Sequence, residues 1–278
     1  VYVNLDNSGK VTQTIVSDWL HTTKGQVYVD DVTNLSQIEN IKDDSVPDVN
    51  GRNLRWYMDS TDLYYQGLNR GIQSRLGGFH SAEIILYSVD FHRIEAFQRH
   101  HHWKEEGEYL AEIAKKSENS GADVIALCTN TMHKVADQIQ HDLSVPFLHI
   151  ADATIAEILK RGLTKIALLG TAFTMEQEFY HSRFKQQGIE LIVPDKSDRQ
   201  TINQIIYDEL CQGVLFNHSK QQYLNIIAQA VKAGAQGVIL GCTEIGLLID
   251  QQDLNIPVFN TVNIHINALL ECVLDEPD

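Results

Sequence analysis

Two short clusters in this chain of 278 residues carry side chains able to move a proton or hold a carboxylate. One is Thr129-Asn130-Thr131 and the other is Cys242-Thr243-Glu244. A thiol, with a reference pKa of about 8.5, is an acid/base group within reach of neutral pH. Hydroxyls and amides grouped at a chain turn can hold a carboxylate together with backbone donors. Each cluster ends a segment that begins Gly-Ala and runs through apolar residues: Gly121-Ala122-Asp123-Val124-Ile125-Ala126-Leu127-Cys128, and Gly234-Ala235-Gln236-Gly237-Val238-Ile239-Leu240-Gly241, 113 positions later. Runs of that length, rich in Val, Ile and Leu, read as buried parallel strands. The residues beyond them then lie at the carboxyl edge, where open α/β sheets bind ligands. Pairing the Gly-Ala dipeptides sets Cys242 opposite Thr129 rather than opposite Cys128. Two related half-domains presenting these tips to one cleft are the expectation.

The other candidate groups are weighed against plainer roles. Cys128 precedes the tip and reads as a strand residue, a small buried hydrophobe. Cys242 sits at the tip itself, which favours reactivity over packing. His133 follows Thr131 by half a turn and reads as a packing or capping residue. His149 and Asp152 follow a strand end and are placed to tune the cleft; for His149 a satisfied core histidine is the equal alternative. His100-His101-His102 cannot all turn to one ion and read as an exposed loop, so no metal site is expected. Arg99 is open between a substrate carboxylate and an exposed surface charge. Gly170-Thr171 lacks the lysine of a phosphate loop.

The elements that would position these groups alternate from about residue 60 onward. Helices are expected over 61–74, 103–119, 151–161, 175–187, 201–211, 219–233 and 262–274. Strands are expected over 83–89, 145–150, 165–170, 189–193 and 256–259, besides the two repeated runs. Such alternation indicates parallel sheets with helices on both faces. The repeat extends into Val145-Pro146-Phe147 and Ile256-Pro257-Val258. It also calls for an apolar strand before Ser60, but Asn50-Gly51-Arg52-Asn53-Leu54-Arg55 stands there and is too polar for one. Within the first 55 residues, 26–32 reads as a strand, 11–20 as a strand or a helix, and 41–53 as a loop or linker. The expected division is an atypical segment 1–55, a first half of 56–154 with 262–278, and a second half of 155–261.

A formal net charge of −15 argues against a large nucleic-acid footprint, which needs clustered Lys and Arg. No run of 18 apolar residues suggests a membrane span, and the amino-terminal residues do not read as a secretory signal. The four cysteines, Cys128, Cys211, Cys242 and Cys272, show no Cys-x-x-Cys spacing, which fits reduced thiols and a cytoplasmic setting.

Cys128-Thr129-Asn130-Thr131-Met132-His133 and Gly241-Cys242-Thr243-Glu244-Ile245 resemble the two signatures of the aspartate/glutamate/hydantoin racemases. Ser60-Thr61-Asp62-Leu63-Tyr64-Tyr65, Val89-Asp90-Phe91 and Gly170-Thr171-Ala172-Phe173-Thr174-Met175 extend the resemblance from about Ser60 to the end. The closest branch in pattern is the one acting on L-aspartate and L-glutamate. The resemblance implies two pseudo-symmetric parallel-sheet α/β domains with the active site in the cleft between them. It implies racemisation by proton removal and return at the α-carbon, with no cofactor and a small amino acid as the partner; a homodimer is compatible with it. Thr129 and Cys242 are the implied catalytic pair. Asn130, Thr131, Thr243, Glu244, Gln98, Met58 and Thr171 are the implied substrate contacts. Most members carry a cysteine where Thr129 stands, and open with an apolar strand and a Gly-Gly-Met-Ser type loop where Arg55-Trp56-Tyr57-Met58-Asp59 stands. A threonine hydroxyl can return a proton but is a poor base, so Cys242, once its thiolate is stabilised, is the expected base. A related decarboxylase or isomerase, or a non-catalytic small-molecule binder, are the alternatives.

Overall fold

The computed structural model describes residues 2–5, 11–15, 28–29 and 58–274, with side chains from Ser60 to Leu274. The chain divides into two units, Val1–Leu54 and Arg55–Asp278. In the first, β1 (Tyr2–Leu5), β2 (Val11–Ile15) and β3 (Tyr28–Val29) form an antiparallel sheet in that order. Tyr2 lies opposite Ile15 and Thr14 opposite Val29. The segment read as strand or helix is thus a strand over Val11–Ile15, and the strand expected at 26–32 contains β3. The segment 41–53 lies outside the described residues.

The second unit opens with α1 (Met58–Leu76), α2 (Phe91–Arg99) and α3 (Trp103–Asn119). Then come β4 (Ile125–Ala126), a 3-10 turn over Thr131–Val135, α4 (Ala136–Gln140), β5 (Phe147–Leu148) and α5 (Ile150–Lys160). The second half holds β6 (Lys165–Gly170), α6 (Ala172–Glu176), α7 (Glu178–Gln186), β7 (Glu190–Ile192) and α8 (Lys196–Asp208). It continues through α9 (Asn217–Lys232), β8 (Val238–Gly241), α10 (Ile245–Leu248) and β9 (Val258–Asn260) to α11 (Thr261–Leu274). The architecture is α/β with parallel sheets, as the alternation of patterns requires.

The second-half sheet has the order β7-β6-β8-β9, all parallel. Ile166 to Leu169 and Val238 to Leu240 are almost wholly buried. Helices cover both faces of these strands, which explains their unbroken apolar runs. Ile155 and Ile158 of α5, Phe184 of α7, Ile202 and Ile206 of α8 and Tyr223 of α9 pack into one core with them. The helices α3 and α9 give way to the two repeated segments at Gly121 and Gly234, where φ is +96° and +100°, a region that penalises a side chain.

Among the described residues the first-half sheet holds only β4 and β5, a parallel pair with Ile125 opposite Phe147. Ile125 and Leu127 turn toward the core built on α3, whereas Val124, Ala126 and Cys128 pack with α1 and α11. The strand expected over 83–89 does not form a ladder. The segment keeps alternating exposure, with Ile84, Leu86 and Val89 half-buried and Ile85 and Tyr87 exposed. The reason is topological. Its counterpart in the second half, β7, is paired only to β6, and no described strand of the first half occupies the position of β6. An isolated extended segment has no backbone partner to form a ladder with.

Candidate active site

β8 ends at Gly241, level with Gly170 at the end of β6. The chain then turns through Cys242-Thr243-Glu244 into α10. Glu244 is buried, and its Oε2 accepts from the Cys242 thiol at 2.8 Å and from the Thr243 hydroxyl at 2.6 Å. Thr243 also meets Ser60 in α1, with 2.8 Å between the hydroxyl oxygens. Its proton is committed to Glu244, so Ser60 is the donor. A line of hydrogen bonds therefore runs from Ser60 in the first half through Thr243 to Glu244 and Cys242. Burial pushes the Cys242 thiol well above its ordinary value, and the Glu244 carboxylate raises it further. The group rests as a thiol donating to Glu244, so the stabilised thiolate expected from the sequence is not the resting form.

On the opposite side, β4 leads into Thr129-Asn130-Thr131 and the 3-10 turn. The Asn130 side chain donates to Thr261 Oγ1 at 3.1 Å, and Thr261 donates to the Leu240 carbonyl of β8 at 2.9 Å. The two tips are thereby joined through the first residue of α11. The Asn130 Oδ1 is buried with no hydrogen-bond partner among the described residues. Thr131 and Thr171 approach at 3.5 Å, and Thr171 caps α6 by accepting from the Thr174 N–H.

His133 holds the Thr129 backbone from beneath. Its Nε2 accepts from the Ile150 N–H at 3.2 Å, so the ring proton is on Nδ1, which donates to the Thr129 carbonyl at 2.7 Å. Burial holds His133 well below the usual histidine range, with His149 and His265 adding to the effect. Burial likewise lowers His149 to about 3 and His265 to about 4. His149 caps α5 by accepting from the Ala151 N–H. His265 accepts from the Tyr64 hydroxyl at 2.6 Å and donates to the Leu148 carbonyl at 2.9 Å. These three neutral rings form a buried floor below the first tip.

A cavity of about 1030 Å³ opens between the tips. Thr129, Asn130 and Thr131 line one wall and Cys242, Thr243 and Glu244 another, with Thr171 and Gln98 at its margin. Gln98 is buried and donates to Glu106 Oε1 at 3.1 Å. Of the implied contacts, the structure gathers all except Met58, whose side chain lies outside the described residues. Cys128 packs beside α1 and α11, with its thiol pushed up to about 12 by burial, as befits a structural thiol. Arg99 is exposed and pairs with Glu95 at 3.6 Å, and the three adjacent histidines are exposed. No cluster of His, Cys, Asp and Glu among the described residues could hold a metal ion. No helix among them is long and apolar enough to cross a membrane.

The sequence reading missed Thr261. A signal existed: aligning the Pro-containing strands places His149 opposite Asn260, and both side chains cap the next helix, Asn260 by accepting from the Val262 N–H. Extending the repeat by one residue reaches Thr261.

The Asp/Glu/Hydantoin racemase family matches residues 57–269. A solved structure of a candidate Asp/Glu racemase from Yersinia pestis is 47% identical, covers 79% of this chain and 96% of its own, and superposes with a TM-score of 0.76. An aspartate racemase homologue from Pyrococcus horikoshii OT3 is 37% identical over 78% of this chain and 94% of its own, with a TM-score of 0.70. The broad-specificity amino-acid racemase RacX of Bacillus subtilis is 33% identical over 148 residues, which is 53% of this chain. That match spans 63% of the length of RacX.

Proposed function

Because the chain belongs to the Asp/Glu/hydantoin racemase family, we propose that it interconverts the enantiomers of aspartate or glutamate without a cofactor, by moving the α-proton between its own side chains. The observation that carries this reading is the Cys242 thiol, set at a strand tip on a buried carboxylate and facing the same cleft as Thr129. The names of the relatives support an amino acid as the substrate class, and aspartate or glutamate in particular.

The resting thiol must first lose its proton to solvent in the open cleft, against the field of Glu244, which accepts its hydrogen bond. A substrate ammonium group near Glu244 favours the thiolate by opposing the carboxylate field. The free Oδ1 of Asn130 is an acceptor suited to the same ammonium group. The thiolate removes the α-proton from one face and becomes a thiol again. The Thr129 hydroxyl, or a water that it orders, delivers a proton to the opposite face. The cycle closes when one proton passes from the Cys242 side to the Thr129 side through solvent. A hydroxyl is a weak base, so the reverse direction depends on that water more than the forward one does.

Cys242→Ser should lower turnover of L-aspartate by at least about 10²-fold, the scale expected for loss of a general base. Near-normal turnover in that variant would remove Cys242 from the mechanism.

A further inference from the structure

One buried acid stands behind the cleft and takes no part in the proton transfer. Glu106 lies in the first turn of α3 and is wholly buried. Its Oε1 accepts from Gln98 Nε2 at 3.1 Å, and Gln98, in α2, lines the catalytic cavity. Its Oε2 is buried with no hydrogen-bond partner among the described residues. Burial raises Glu106 above its ordinary value, while the Gln98 hydrogen bond and the Lys134 charge favour the carboxylate. The start of a helix favours it too. Lys134 does not close on the carboxyl; its Nζ stands over the Trp103 ring, 3.6 Å from the centroid. The backbone next to Glu106 is held tightly, since a side chain at Gly107 would collide with Gln138 of α4.

A buried carboxylate with one oxygen unpaired costs the fold stability, and pairing the Gln98 amide does not require a charge. What a carboxylate supplies is direction. It can only accept, so it turns the amino end of the Gln98 amide inward and leaves Oε1 as the acceptor offered to the cavity. A neutral amide or hydroxyl in its place would let Gln98 turn either way. The negative charge behind the amino end also polarises the amide and strengthens Oε1 as an acceptor. Of the polar groups of aspartate or glutamate, only the ammonium group donates hydrogen bonds. We propose that Glu106 is a positioning residue: it holds the Gln98 carbonyl toward the cleft, so that Gln98 binds the substrate ammonium group and not a carboxylate. This role rests on the amino-acid substrate proposed above. It adds a means of choosing an amino diacid over the same diacid without nitrogen. An ammonium group has three N–H donors, and Asn130 and Glu244 offer further acceptors on the same cavity.

L-Aspartate and succinate differ only in the ammonium group, and together they separate this role from a structural one. Each is titrated by calorimetry into the full wild-type chain, Glu106→Gln, Gln98→Ala and the double variant. Glu106→Gln keeps the shape and removes a buried charge. It should weaken L-aspartate by about tenfold, the scale of a lost hydrogen bond to a charged group, and leave succinate as tight or tighter. Gln98→Ala alone should likewise weaken L-aspartate and spare succinate. In the Gln98→Ala background, Glu106→Gln should weaken L-aspartate by less than about twofold more, because the two residues act as one unit. Equal weakening of both ligands, L-aspartate binding that ignores Glu106→Gln, or an undiminished effect in the Gln98→Ala background would each overturn the proposal and leave the racemase reading standing. A wild-type chain that does not bind L-aspartate would overturn the racemase reading, and this role with it.

Discussion

The Cys242 thiol lies against the one carboxylate that opposes its ionisation, and this arrangement fixes the pH response. Burial and Glu244 both raise the thiol above its ordinary value, so the thiolate fraction is small near neutrality and grows with pH. The kcat/KM for L-aspartate should therefore climb as pH rises from 7 to 9. Glu244→Gln removes the carboxylate's contribution while burial remains, so the rising limb should move to lower pH. A limb that stays in place or moves up would show that Glu244 does not act on Cys242. On the other face, Thr129→Cys places a second thiol across the cleft from Cys242. It should raise turnover of D-aspartate by at least about tenfold, measured by chiral chromatography, because a thiol can take the proton that a hydroxyl cannot.

The tips are held in place by short elements, and Thr261 at the start of α11 ties them together. Thr261→Val keeps the shape but leaves the Asn130 amide and the Leu240 carbonyl without their shared hydroxyl. A loss of roughly 1–3 kcal/mol in urea unfolding is expected, the cost of buried groups left unpaired. Much at this scale was legible in the sequence. The apolar period of α3 and the Gly-Ala starts of both repeats are local signals, and the structure follows them. The helix α2 was missed although Phe91, Ile94 and Phe97 recur at helical spacing behind the Asp90 cap; the run is only nine residues long and its apolar positions are separated by charged and polar ones. The helix expected over 175–187 is interrupted at Gln177, an extended residue between α6 and α7. The segment 83–89 has the composition of a strand and the alternation of one, yet strand formation needs a neighbour that local sequence cannot report. The site was legible as two clusters because the repeat marks both. The hydrogen-bond line through Ser60 and Thr243 was not, since it joins residues 183 positions apart.

Across the whole second unit, the three neutral histidines beneath the first tip couple folding to pH. Their folded-state values lie below the unfolded value of about 6.5, at about 3 for His149 and about 4 for His265, with His133 also well below. The unfolded chain binds protons there that the folded chain does not, so their contribution to stability is present above pH 6.5 and is lost as pH falls toward 4. The Tm should drop steadily over that window, and His265→Gln should flatten the drop by about one proton's worth. One of these rings, His133, holds the Thr129 backbone, so acid unfolding and loss of the site should coincide. The two-sided proton transfer itself is tested most directly by incubating L-aspartate with the protein in deuterated buffer and following the α-position by proton NMR. Deuterium should enter the α-position of L-aspartate faster than D-aspartate forms, with both signals abolished in Cys242→Ser. Absence of exchange in the wild-type chain, or exchange that survives in Cys242→Ser, would contradict it.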